Sequence, residues 1–78
     1  ETPLRLTRAE YAICEYLALH AGRTFSKEQL YEAAFGFDST ADTSAVTEHV
    51  KNIRSKLRGF ALQPIETVWG IGYRWKNV

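Results

Sequence analysis

A single cysteine, Cys14, excludes an internal disulfide framework and any cysteine-rich zinc site. Such sparing use of thiols points to a reducing, intracellular compartment, and the expected location is cytoplasmic. No apolar run approaches the length that spans a bilayer, and residues 1–10 lack a signal-peptide pattern. Catalytic signatures are equally scarce: there is no G-x-S-x-G elbow, no P-loop and no G-x-G-x-x-G turn. Glu48 and His49 are the one acid–histidine neighbour pair. Adjacent helical positions diverge by about 100°, so these two form neither an acid–base dyad nor a metal site by themselves. Cys14 falls on an apolar helix stripe and reads as a small buried residue rather than a nucleophile. No enzymatic activity, metal or cofactor is expected.

What is present is one small domain's worth of chain, residues 1–78, with 45% hydrophobic and 24% charged residues. A chain of this size buries about 60% of its unfolded surface, enough to fold alone with little margin. The net charge of +1 hides a division. Residues 1–42 carry Arg5, Arg8, Arg23 and Lys27 against seven acids, a net −3. Residues 43–78 carry Lys51, Arg54, Lys56, Arg58, Arg74 and Lys76 against Glu48 and Glu66, a net +4. Such asymmetry directs one face towards a polyanion, although six basic residues could also merely solvate a surface.

Local signals divide the chain into strand, helix, helix, loop, helix, strand, strand. Leu4-Arg5-Leu6 alternates as a short strand does. Thr7 and Glu10 have capping-box spacing, opening a helix from about Arg8 to His20 or Ala21, with Tyr11, Cys14, Leu17 and Ala18 as its buried stripe and Gly22 as its stop. Ser26 and Gln29 repeat the box, opening a second helix whose apolar face is Leu30, Tyr31, Ala34 and Phe35, ended by Gly36. A loop follows to Asp42. The third helix begins near Asp42 or Thr43 and reaches about Arg58; Val46, Val50, Ile53 and Leu57 form one core-facing stripe at steps of four, three and four. Residues 65–69 and 73–78 are rich in β-branched and aromatic side chains, and Gly70-Ile71-Gly72 turns between them, predicting a C-terminal hairpin. Val68 and Trp75 are expected in the core, whereas Trp69, beside the turn, is less easily buried.

The third helix is divided as a groove-binding helix must be. Opposite its aliphatic stripe lie Glu48, Lys51 and Asn52, side chains that can accept from a cytosine amino group, donate to guanine and pair with adenine. Thr47, His49, Arg54 and Lys56 on the flanks suit phosphate contacts that set register. Residues 67–73 form a tip with hydroxyls and amides opened by glycine, with Arg74 close by; in the competing reading the glycines only make the turn and Trp69, Tyr73 and Trp75 are core. A helix pair, a candidate reading helix and then a hairpin is the winged helix-turn-helix order. The expected fold is therefore α+β: a three-helix core, a C-terminal β-hairpin wing and a short N-terminal strand.

Four motifs occur in order over about residues 4–76: Leu6-Thr7-x-x-Glu10-Tyr11; Gly22-Arg23-x-x-Ser26-Lys27-Glu28-Gln29-Leu30; residues 46–57, VTEHVKNIRSKL; and residues 67–74, TVWGIGYR. Together they resemble the OmpR/PhoB-type winged-helix output domain of two-component response regulators. The resemblance implies sequence-specific binding to double-stranded DNA and transcription regulation, with the third helix in the major groove and the wing on the adjacent minor groove. It implies attachment to a receiver domain phosphorylated by a sensor histidine kinase, and homodimers on directly repeated half-sites. It also implies a polymerase-contact loop, here Gly36, Phe37, Asp38, Ser39, Thr40, Ala41 and Asp42. By position, Glu48, Lys51 and Asn52 match base-reading sites; Thr43, Ser44, His49 and Arg54 match phosphate contacts; Thr67, Gly70 and Tyr73 match backbone contacts of the wing.

Two departures stand out. Glu48 adds an acid to the reading face, and Trp69 stands where many members place a minor-groove arginine. Family output domains usually begin with a sheet of about four strands, of which only the last is expected here, at Leu4-Arg5-Leu6, and no receiver is present. The chain is therefore expected to be one winged-helix domain, residues 1–78, cut from a longer regulator, with stability below the family norm. On the residues alone, at most about five to seven groups neutralise phosphates. The alternative reading is a winged-helix protein-interaction module docking an acidic partner.

Overall fold

Local chemistry starts the first two helices. Thr7 Oγ1 accepts from the Glu10 amide at 3.2 Å while the Glu10 carboxylate accepts from the Thr7 amide at 2.9 Å. Ser26 and Gln29 repeat this reciprocal pair at 3.1 and 2.8 Å. The computed structural model describes residues 5–36, 43–60 and 63–76. Within them the order is α1 (Arg8–Leu19), β1 (Thr24–Phe25), α2 (Lys27–Phe35), α3 (Ser44–Arg58), β2 (Ile65–Val68) and β3 (Gly72–Trp75). Gly22 (φ 91°) and Gly36 (φ 84°) take the positive φ expected of glycines at helix exits.

The strands form one antiparallel sheet in the order β1-β3-β2. Ile65 to Val68 pair with Trp75 to Gly72, and Thr24 and Phe25 pair with Arg74 and Tyr73. The hairpin is as expected, but the strand beside it is not the expected one. Arg5 and Leu6 lie outside any strand, Leu6 packing against the core, and Leu4 lies outside the described residues. Both edges of the central strand β3 are occupied, by β1 and β2, so Arg5 and Leu6 find no place on it. Gly72, expected in the turn, opens β3 and pairs with Val68, which leaves residues 69–71 as the loop.

The core gathers Ile13 and Leu17 of α1, Leu30 and Tyr31 of α2, the four-residue stripe of α3, and Phe25, Ile65 and Tyr73 of the sheet. Val46, Val50 and Ile53 are at most 1% exposed and Leu57 is 6% exposed, so the α3 stripe anchors its helix along its whole length. On α1 the buried row is rotated from expectation. Glu10, Ile13 and Leu17 face inward, Cys14 is half-buried, and Tyr11 and Ala18 face solvent. The rotation buries Ile13 completely, and Tyr11 keeps its hydroxyl at the surface near Glu15. Val68 and Trp75 are both half-buried, Trp75 packing against the core.

Burial, and then the charge of Glu10, pushes the Cys14 thiol up to about 11 from 9.0. Burial of this residue therefore has a chemical consequence. At pH 8 the native thiol should react with iodoacetamide about 100-fold more slowly than in urea, in proportion to its thiolate fraction. Equal labelling rates in the two states would contradict it.

Candidate nucleic-acid interface

The outer row of α3 is laid out by the burial of its inner row. With Val46, Val50, Ile53 and Leu57 fixed inward, Ser44, Thr47, Glu48, Lys51 and Ser55 are all exposed. Asn52 is half-buried beside them. Among the described residues, Glu48 and Lys51 form no ion pair, so both heads are available to a ligand. Thr43 precedes the helix with φ −63° and ψ −16° and makes no capping bond with its side chain. Lys56 and Arg58 in the last turn complement the carbonyl end of the helix.

The two flanks of α3 differ in what they touch. On the wing side, Arg54 is drawn into the hairpin. Its Nη2 donates to the Ile65 carbonyl at 3.0 Å and to Thr67 Oγ1 at 2.8 Å, and the guanidinium lies 5.8 Å from the Tyr73 ring centroid. Arg54 thus ties the candidate reading helix to the wing. Arg54→Ala should cost about 1–2 kcal/mol in urea denaturation, because it leaves a half-buried carbonyl unpaired. It should do so without any DNA present, which a purely phosphate-binding arginine would not.

On the opposite flank, Lys56 turns towards α1 and holds the Glu10 carboxylate, which is only 2% exposed. Burial alone pushes the Glu10 carboxyl up. The bond from Lys56, the Thr7 amide and the charges of Lys56 and His49 outweigh it, so the net shift is downward from 4.5. The His49 ring packs on Phe35 of α2 with centroids 5.7 Å apart, and its buried Nδ1 has no hydrogen-bond partner among the described residues. On the wing, Arg74 gives Nε and Nη2 to the same oxygen of Glu66, its cross-strand neighbour, at 2.9 and 2.7 Å.

Several residues expected to meet phosphate therefore have partners inside the fold. Lys56 and Arg74 are ion-paired, Arg54 is bonded to the hairpin, His49 packs against α2, and the Tyr73 ring is core at 8% exposed. For Tyr73 the core reading of the wing is the correct one; for Trp69, 89% exposed, it is not. What the fold does bring together is Thr47 of α3 with Thr67, Gly70 and Tyr73 of the hairpin. They line an open groove of about 450 Å³, along with Lys27 at the start of α2. Lys27 was not among the expected contacts, and nothing in its sequence surroundings separates it from any solvent-facing lysine. Gly36 is described and exposed; Phe37, Asp38, Ser39, Thr40, Ala41 and Asp42 lie outside the described residues.

A trihelical core, an α3 whose outer row is polar and exposed, and a three-stranded sheet ending in an exposed turn define a winged helix-turn-helix DNA-binding domain. The relatives narrow this further. The chain belongs to the family described as transcriptional regulatory protein, C terminal, whose model matches residues 1–75. It is 51% identical over 73 residues to the transcriptional regulatory protein SpaR of Bacillus subtilis, covering 94% of this chain and 33% of that protein. Among solved structures it resembles the DNA-binding domain of the response regulator AdeR, solved in complex with an intercistronic region, with a TM-score of 0.84 and 29% identity. That match covers 95% of this chain and 74% of the other. The DNA-binding domain of Bacillus subtilis CssR matches with a TM-score of 0.82 and 26% identity, over 92% of this chain and 78% of that one. The chain spans about a third of the length of the curated relatives it matches. Among the described residues, no helix is long and apolar enough to cross a membrane.

Proposed function

We propose that this chain is the output domain of a two-component response regulator in the bacterial cytoplasm. It reads duplex DNA with α3 in the major groove and places its wing on the adjacent minor groove. The observation that carries this is the complementary division of α3: an inner row locked in the core, and an outer row with Thr47, Glu48, Lys51 and Ser55 exposed. Glu48, Lys51 and Asn52 read base edges. Thr43, Ser44, Thr47 and the wing backbone at Thr67 and Gly70 approach phosphates. Arg54 and His49 act on DNA through the elements they brace. In the intact regulator, a receiver domain answering to a sensor histidine kinase pairs two such domains on directly repeated half-sites. The segment from Gly36 to Asp42 meets RNA polymerase.

Because Lys56 and Arg74 are paired internally, the salt dependence should be shallower than the basic composition implies. Along the groove and in residues 43–78, once Arg54 is set aside as bonded to the hairpin, Lys27, Lys51, Arg58 and Lys76 are the basic side chains that form no ion pair among the described residues. About four neutralised phosphates per domain is the expected ceiling. Selection from a randomised duplex pool, followed by anisotropy at several salt concentrations, tests the reading. A motif recurring at about one helical turn, with a log–log salt slope near −4 or shallower, is the expected result. Lys51→Ala or Asn52→Ala should then cost about 1–3 kcal/mol on the selected site and relax its sequence preference. Binding with no enriched sequence, or equal losses on selected and random duplex, would refute the assignment of α3.

A further inference from the structure

The tip of the wing is apolar where hairpin tips are ordinarily polar. Trp69 is 89% exposed and Ile71 is 61% exposed, one on each side of Gly70. Turn positions facing water favour glycine, asparagine, aspartate and serine. A lone exposed apolar residue is commonplace, but two large ones on a three-residue loop make a patch. The loop presenting them is well defined. The Ile71 amide donates to the Val68 carbonyl at 3.0 Å, and Gly70, at φ 81°, sits at the third position of the turn, where type II turns require a positive φ.

The direction of the tip is set by its neighbours. Trp69, Gly70 and Ile71 line the same groove as Thr47 on the outer side of α3 and Lys27 of α2. The patch is therefore continuous with the face assigned to DNA. Lys27 is the one charged residue among those lining the groove, and the nearby Arg74 is held by Glu66. A backbone phosphate is accommodated at the basic end, while the tip beyond it offers no cation to the minor groove.

We propose that Trp69 and Ile71 form an apolar wedge that seats in the DNA minor groove next to the stretch read by α3. There they pack on deoxyribose faces and partly open one base step. The inference rests on the DNA-binding reading above and specifies how the wing contributes to it. A cation in the minor groove draws its energy from charge and favours narrow A-tracts. An apolar wedge instead works by unstacking, and it favours pyrimidine–purine steps, which are easily kinked. The wing of this chain selects for deformable sequence, and its share of affinity is insensitive to salt.

The test uses the selected duplex and the variants W69A, W69F and W69R, all at a position exposed enough that the fold should survive, as melting curves would verify. W69A should bind about tenfold more weakly, the loss typical of one aromatic–base contact, with an unchanged salt slope. W69F should retain affinity, and it leaves Trp75 as the sole tryptophan emitter. Quenching on DNA addition is expected in the parent and not in W69F, and that difference would report Trp69 itself. W69R should steepen the salt slope by about one unit. Replacing the pyrimidine–purine step under the wing with an A-tract should weaken the parent and leave W69A indifferent. Undiminished binding by W69A, with Trp69 emission unmoved by DNA, would overturn the wedge while leaving the DNA reading intact. A loss in W69A accompanied by a changed salt slope would overturn it as well. Absence of any duplex binding by the parent would overturn the DNA reading, and the wedge with it.

Discussion

Gly72→Ala should be the most damaging small substitution in the described part of this chain. A Cβ at residue 72 would lie 1.9 Å from the Phe25 carbonyl oxygen, 2.8 Å from its carbonyl carbon and 2.9 Å from the Ser26 Cα. All three are backbone atoms, so no side chain can rotate away to make room. Phe25 is the last residue of β1 and Ser26 caps α2, so relief of the clash must move both away from β3. That separation breaks the β1–β3 pairing at Phe25 and Tyr73, two core residues. The expected cost is about 3 kcal/mol, the upper end of what one inserted methyl group usually does. For a domain this small it corresponds to a melting-point drop of about 12–24 °C.

Gly70→Ala provides the internal control. Position 70 has positive φ but nothing within 4 Å of a built Cβ, so only the backbone penalty of about 1–2 kcal/mol applies. Thermal melts of the two variants side by side decide the matter. Equal losses would mean that the approach of Phe25 to β3 is looser than the structure has it.

Lys56→Ala should produce the second largest loss, again with no DNA present. It removes the cation from a carboxylate that is 2% exposed and leaves the Thr7 amide as its hydrogen-bond donor among the described residues. Stranding one member of a buried pair commonly costs about 3–5 kcal/mol. Lys56 itself keeps 35% of its side chain in contact with water, so about 2 kcal/mol is the expected figure here.

The pH dependence separates this account from a simple loss of packing. In the parent the folded-state pKa of Glu10 lies below 4.5. Its contribution to stability is therefore fully present above that value and is lost as the pH falls through the lower, folded-state value. In Lys56→Ala two of the influences that hold the carboxyl down, the bond and the charge of Lys56, are gone, so the folded-state value rises towards or past the unfolded one and the stabilisation at neutral pH shrinks. The parent therefore has more stability to lose in acid than the variant has. Urea denaturation at pH 7 and pH 4 should show the gap between parent and variant narrowing in acid. A gap that is the same at both pH values would mean that the charge of Glu10 is not what Lys56 compensates.

Much of this fold is legible in the sequence, for reasons of range. Thr7 with Glu10, and Ser26 with Gln29, bond across three residues, so spacing alone marks both helix starts. The inner row of α3 is four β-branched or leucine residues at helical steps, a pattern with one reasonable burial. Its outer row follows by exclusion, and with it the candidate base-reading residues. Where a stripe is chemically ambiguous, the reading falters. Tyr11 and Ala18 are as compatible with a core as Ile13 is, and only the packing of α1 against the rest turned Ile13 inward and Tyr11 out. The two-residue strand Thr24–Phe25 is too short for alternation to reveal, and it exists because β3 lies beside it.

The interface divides along the same line. Residue type and period, which act over one or two helical turns, settle that α3 presents Glu48 and Lys51 outward and that a glycine-bearing hairpin follows it. They do not settle which basic residues are spoken for. Lys56 meets Glu10 across 46 positions of chain, and Arg54 meets Thr67 across 13. Gly72 is needed because the Phe25 backbone crosses it, not because its own φ demands glycine. Such pairings depend on where distant segments come to rest, and one-dimensional spacing carries no information about that. The core pattern was written locally; the allocation of charge between fold and ligand was made only when the helices and the sheet closed on one another.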